Sequence, residues 1–199
     1  MKIKYELLNC DDISNYLLEL ANLRIEVFKE FPYLYEGSID YEMRYLTRYQ
    51  KSKNSLVIIC LIDNKVVGAS TCISLLDEDD DFKSPFLNKE WDIAKIYYFG
   101  ESIIKKDYRG NKIGHEFFRL REEFAKEKLQ QHLKFTTFCS VIRKENHSKK
   151  PHEYRPLDNF WKRLGYSDDY NLFTEYSWKD IDKKIEDSKK MKFWIKAWN

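Results

Sequence analysis

Apolar and polar positions change period in blocks along the 199 residues. Residues 2–8 alternate loosely, which predicts a first strand. Residues 13–28 then place Leu17, Leu20, Ala21, Arg24, Ile25 and Phe28 at helical spacing, with Asp11 and Asp12 offering N-caps. Arg24 sits on an otherwise apolar face and needs a partner. Pro32 and Gly37 break the pattern in a loop crowded with Phe31, Tyr33, Leu34 and Tyr35. Residues 38–49 are helical again, with Ser38 as the cap, and 55–62 and 65–75 form two apolar strands about an Asp63-Asn64 turn.

Residues 76–94 follow no period and are expected to be an irregular loop, with the acidic run 77–81 solvated. The organising stretch is 97–128. Residues 97–104 are aromatic and β-branched, which suits a strand; 105–112 are polar and contain Gly110; 114–128 carry Phe117, Phe118, Leu120, Phe124 and Ala125 as one buried helical stripe. After it come a strand at 135–142, a polar loop at 143–156 and a short helix at 157–164 stopped by Gly165. Two closing strands, 172–178 and 192–198, are joined by a charged connector. The order is β-α-α-β-β-β-α-β-α-β-β. No repeat or low-complexity segment interrupts it.

Composition narrows the function classes. With 35 Lys and Arg against 33 Asp and Glu, the net charge of +2 gives no polyanion-binding signal, so nucleic acid is not expected as a partner. The 16% aromatic content supplies a core for one domain spanning 1–199. Cys10, Cys60, Cys72 and Cys139 are scattered without a C-x-x-C pair and are expected to be free thiols. No apolar run approaches the ~20 residues that cross a bilayer. A cytoplasmic protein without a membrane partner is the expectation. His147 and His152 lack metal-ligand spacing on a helix, so no metal is expected.

A strand leading through a Gly-containing loop into a helix is an anion site. The first N–H groups of the helix have no partner inside it, and its dipole favours negative charge by roughly 0.3–1 kcal/mol. The loop lacks the Gly-Lys-Ser or Gly-Lys-Thr ending of a Walker motif and the G-x-G-x-x-G of a dinucleotide site. Arg109, Gly110, Asn111, Lys112, Ile113 and Gly114 do resemble the acetyl-CoA loop of the GNAT N-acetyltransferase superfamily. One position departs, since the family's middle Gly is Lys112 here, and this requires Lys112 to adopt a conformation that Gly takes more easily. The element order also resembles that fold, a mixed α/β domain with a central, mostly antiparallel twisted sheet of about seven strands flanked by helices.

The resemblance implies acetyl-CoA as cofactor and acetyl transfer to the amine of a small molecule. It implies a pantetheine arm between the splayed fourth strand and the strand at 135–141. It also implies a backbone N–H at Ile103, Ile104 or Lys105 that polarises the thioester carbonyl. The residues themselves suggest Glu101 as general base, being the one carboxylate at 97–104 among aromatic and apolar neighbours that would raise its pKa. An outward-facing Glu101 is the alternative, and Gly100 beside it permits a bulge that would reverse its direction. Trp161 stands where the family's thiolate-protonating Tyr is usual, leaving Tyr154, Cys139 or a water for that role. Tyr33, Tyr35 and Glu36 are candidates for the acceptor pocket, Glu36 by attracting a cationic amine. A catalytically silent CoA-binding module and an acyltransferase using longer acyl-CoA remain open. So does a homodimer joined along the aromatic strand 193–198.

Overall fold

In the computed structural model, residues 2–199 are described; the sheet departs from regular pairing between β2 and β3 at Cys60/Leu61 and again at Gly100/Glu101, where the site forms. The strands are β1 (Ile3–Leu8), β2 (Ser55–Ile62), β3 (Lys65–Ser74), β4 (Ile96–Tyr98), β5 (Ser102–Ile104), β6 (Phe135–Val141), β7 (Phe173–Trp178) and β8 (Asp187–Ala197). The helices are α1 (Leu17–Phe28), α2 (Ile39–Lys51), α3 (Asp80–Leu87), α4 (Ile113–Leu129) and α5 (Asp158–Arg163). All eight strands lie in one sheet, ordered β1-β2-β3-β4-β6-β8-β7, with β5 paired to β3. Only the β4–β6 contact is parallel.

Strand β2, second from the β1 edge, is buried along its whole length, as expected where both faces are covered. Val57, Ile59 and Leu61 face a core shared with Leu20, Leu23 and Leu46 of α1 and α2. Leu56, Ile58 and Cys60 face a second core filled by Phe117, Phe118 and Ala125 of α4. Each fully buried Leu, Ile or Phe contributes about 1.5–3 kcal/mol. The Asp63-Asn64 turn has positive φ at both residues, 51° and 60°, which matches the twist of the flanking strands.

Four expectations are corrected. Asn9, not Asp11 or Asp12, caps the first helical turn, its Oδ1 accepting from the Asp11 and Asp12 N–H groups at 2.9 and 3.2 Å. Residues 76–94 are not wholly irregular, because α3 forms within them despite Pro85. Asp80 and Asp81 suit its positive N-terminus. Pro85 has no N–H to give the Asp81 carbonyl, and Thr174 Oγ1 from β7 supplies that hydrogen bond. The last strand starts at Asp187, earlier than the charged residues suggested. It also lies inside the sheet, between β6 and β7, and Ile195 exchanges hydrogen bonds with Ser167. The segment 193–198 therefore offers no free edge along which a dimer sheet could extend.

The expected fourth strand is two strands. Tyr98 pairs with Ile73 and Ser102 with Ser70, so one extra residue is inserted between them. The Gly100 N–H donates to the Thr71 carbonyl at 3.2 Å, and the Thr71 N–H donates to the Glu101 carbonyl at 3.1 Å. Two residues thus oppose one, which is a β-bulge. A Cβ on Gly100 would lie 2.3 Å from Tyr49 Oη and 2.6 Å from Thr71 Oγ1, so only glycine fits there. The ladder to β6 ends at the same point, with the Phe99 N–H on the Thr137 carbonyl at 2.8 Å. Beyond it β5 bonds only to β3, and residues 138–141 of β6 bond only to β8. A split opens between them.

A second anchor fixes the loop between α1 and α2. Arg143, just past β6, donates to the Pro32 and Tyr33 carbonyls at 2.7 and 2.6 Å and pairs with buried Asp180 at 2.8 Å. Buried Lys189 lies 3.4 Å from Asp180 on its other side. Burial alone would raise the Asp180 carboxyl, but Arg143 and Lys189 outweigh it and hold it below the usual range.

Two outcomes follow from these anchors. Gly100→Ala is expected to lose about 1–3 kcal/mol by overpacking, read as a lower melting temperature, and Tyr49→Phe in that background to recover much of the loss. An unshifted melting curve for Gly100→Ala would contradict the close approach. Asp180 has a folded pKa below its ordinary 3.8, so its stabilisation is present above that pH and is lost as pH falls through the folded value. Asp180→Asn is expected to be less stable at pH 7 by roughly 3 kcal/mol and to have a flatter acid limb below pH 3.8 in urea titrations. Parallel acid limbs would contradict this.

Candidate functional site

The bulge decides which way Glu101 points. Tyr97 and Phe99 face the α4 side of the sheet, and a regular strand would send Glu101 with them. The inserted residue puts Glu101 on the opposite face, under α1 and α2. There its carboxylate lies 2.6 Å from Arg24 Nη1 and accepts from Tyr45 Oη at 3.3 Å. Arg24 also donates from Nε to Glu42, which is fully buried. The guanidinium packs on the Tyr45 ring, 3.9 Å from its centroid, and Arg48 packs on the same ring at 4.3 Å. Burial opposes the Arg24 charge, but Glu101, Tyr45 and Glu42 outweigh it and hold its pKa well above the usual range. Glu101 is therefore not surrounded only by apolar groups. It belongs to a buried cluster of two carboxylates and one guanidinium that carries a net negative charge.

The ladder also assigns the free N–H groups. The Lys105 N–H donates to the Val67 carbonyl at 2.9 Å. Counting back two residues in an antiparallel ladder, the Ile103 N–H faces β3 as well. Both are spent, so Ile103 and Lys105 are removed as backbone donors to the split. Ser102 and Ile104 turn their N–H groups toward it. Ser102 lies just before the range 103–105 that the resemblance implies, and only the bulge's one-residue register shift turns its N–H toward the split.

The loop into α4 is open to an anion. The N–H groups of the five residues 110–114 have no acceptor in the protein, and no side chain caps the helix. Gly110 has φ 83° and Lys112 has φ 61°, ψ 9°. Lys112 takes the left-handed conformation at the position where the resembling loop has Gly, at a cost of about 1–2 kcal/mol. Successive N–H groups around such a turn form a concave nest for an anion. A Cβ on Gly114 would meet only the Phe160 ring, at 3.6 Å. The Arg109 side chain does not face this nest. It donates from Nε to the Ile104 carbonyl at 3.0 Å and forms a two-toothed pair with Glu30 at 2.8 and 2.9 Å.

The remaining candidates are spread out, and Trp161 lies on the α4 side of the sheet. Tyr33 packs on Phe28 and Trp178, and burial, then nearby Cys139 and Glu101, push its hydroxyl pKa up. Cys139 is pushed up to about 12 by burial and lies 3.1 Å from Tyr98 Oη. Tyr154 packs edge-on against Phe31, with its hydroxyl raised by burial. Trp161 fills space between Phe138 and Trp194. Tyr35 and Glu36 line an open cleft of about 510 Å³ with Tyr41, Tyr176, Trp178 and Lys179. Glu36 pairs with Lys179 at 3.1 Å. Glu101 does not line this cleft. The Tyr35 hydroxyl is raised by burial and then by Glu42. Among the described residues no helix is long and apolar enough to cross a membrane, and no group of three His, Cys, Asp or Glu side chains could hold a metal.

No protein-family model and no curated protein matches the sequence. Solved structures do match in shape. A GNAT-family acetyltransferase from Streptococcus pneumoniae aligns over 100% of both chains with a TM-score of 0.60 and 13% identity. NAA60 from Arabidopsis thaliana, solved with a bisubstrate analogue, aligns over 100% of both chains with a TM-score of 0.63 and 9% identity. The PaiA N-acetyltransferase from Thermoplasma acidophilum, solved with coenzyme A, aligns over 100% of both chains with a TM-score of 0.54 and 14% identity. With its sheet split beside a bulged strand and a bare N–H nest opening α4, this chain has the fold of the GNAT N-acetyltransferases.

Proposed function

We propose that this protein is an acetyl-CoA-dependent N-acetyltransferase acting on a small cationic amine. The observation that carries the reading is the run of five unpartnered N–H groups at residues 110–114, placed where β5 leaves the split and α4 begins. A pyrophosphate suits that nest, with the exposed ammonium of Lys112 adding charge. Backbone donors carry this binding, because the Arg109 side chain is already paired with Glu30. The cofactor when bound supplies an activated acetyl thioester.

The chain's own groups then divide the work. The Ser102 and Ile104 N–H groups face the split and donate to an acyl arm lying in it. Glu101 accepts the amine proton, directly or through one water. Two carboxylates, Glu101 and Glu42, share one guanidinium in its cluster, an excess of one carboxylate. That excess carboxylate favours a cationic acceptor, whereas Glu36 at the cleft is already paired with Lys179. Tyr154, Cys139 or a water is left to return a proton to the leaving thiolate, and burial, by raising Tyr154 and Cys139, makes each of those two a weaker acid.

Calorimetry with CoA and with pantetheine tests the nest. CoA is expected to bind, and pantetheine, which lacks the pyrophosphate, to bind at least about tenfold more weakly, since one charge-assisted hydrogen bond contributes about 1.5 kcal/mol or more. Equal affinities would remove the pyrophosphate assignment. Glu101→Gln, assayed with acetyl-CoA over a panel of mono- and polyamines, is expected to lower turnover by about 10²–10⁴-fold with CoA affinity unchanged. The deficit is expected to shrink at high pH, where more of the amine is already neutral. Near-normal turnover from folded Glu101→Gln would end the general-base assignment.

A further inference from the structure

The Glu101 carbonyl accepts three hydrogen bonds. They come from the Thr71 N–H at 3.1 Å, Ser70 Oγ at 2.7 Å and Arg121 Nη1 at 3.3 Å. Arg121 rises from the third turn of α4 and is 2% exposed. It has no carboxylate partner, and its Nη2 has no partner at all. Its guanidinium lies over the rings of Phe99 and Phe118, 4.3 and 4.5 Å from their centroids. Burial draws its pKa down to about 10, so it is charged at neutral pH. A buried, unpaired cation is costly, and an apolar residue would fill the same space without that cost.

The other end of the same peptide group is the Ser102 N–H, which the bulge turns toward the split. Positive charge at a peptide oxygen draws electron density away from its nitrogen and makes the N–H a stronger donor. Hydrogen bonds in series polarise one another in this way, most strongly where water is excluded. We propose that Arg121 is a positioning residue that, through the Glu101–Ser102 peptide, aims and strengthens the Ser102 N–H as the donor to an acyl carbonyl oxygen in the split. This rests on the acyl-transfer reading above. In that geometry α4 serves the site at both levels, its N-terminus by binding an anion and its third turn by charging the donor.

The test uses the full chain and acetyl-CoA carrying ¹³C at the carbonyl, with binding checked first by calorimetry. The infrared band of the bound thioester carbonyl is expected to lie lower than that of the free compound. Arg121→Met is expected to lose most of that lowering and Arg121→Lys to keep most of it. Ser70→Ala, which removes another donor from the same carbonyl, is expected to fall between them. With an amine that turns over, Arg121→Met is expected to lower kcat by about tenfold with KM for acetyl-CoA held. A role confined to packing would move the melting temperature and leave the band in place. An unshifted band in Arg121→Met overturns the proposal, and if that variant does not fold, an unshifted band in Ser70→Ala does so. Absence of acetyl-CoA binding to the wild type would instead overturn the functional reading, and this proposal with it.

Discussion

One inserted residue in the middle of a sheet governs the geometry of this molecule. With Gly100 and Glu101 both opposite Thr71, the strand changes face, register and neighbour within a few residues. Each change has a separate result. The face change delivers the Glu101 side chain to α1 and α2. The register change frees the Ser102 and Ile104 N–H groups. The loss of β6 as a neighbour opens the split. Bulges tend to sit where a side chain must be re-aimed. Here the supports are visible: the Tyr49 and Thr71 hydroxyl groups close over Gly100, and Arg121 ties the carbonyl from below.

The buried charges are unequal on the two faces. Under α1 and α2, Arg24 is shared by Glu42 and Glu101, an excess of one carboxylate. On the α4 side, Arg121 stands without any carboxylate, in the third turn of a helix whose N-terminal N–H groups are bare. The sheet therefore separates an excess buried carboxylate on one face from an unpaired buried guanidinium on the other. Burying unbalanced charge lowers stability. A fold that keeps it on both faces is preserving something other than stability.

Much of this was legible in the sequence, and the failures have specific causes. The strand–loop–helix unit at 97–128 stood out because its apolar spacing and its glycines agree. Arg24 announced a partner by lying on an apolar face, but Glu42 and Glu101 are 18 and 77 positions away, and no local pattern links them. The bulge was only permitted by Gly100. Its necessity comes from Tyr49 and Thr71, which are remote in sequence. Helix α3 was hidden because Pro85 argues against a helix unless a distant hydroxyl repairs the lost hydrogen bond, as Thr174 does. Arg121 gave no signal, because one Arg in the charged run of α4 looks like a surface residue. The Asp180–Arg143–Lys189 anchor was hidden for the same reason.

The left-handed Lys112 has a consequence for how the loop meets a ligand. Glycine at that position would roam over both halves of conformational space and would have to be frozen when an anion arrives. A side-chain-bearing residue held at φ 61° has already given up that freedom during folding. The entropy of ordering the loop is therefore charged to the folding equilibrium and largely absent from the binding one. In the function proposed above, the loop offers an anion donors whose placement is largely fixed on folding.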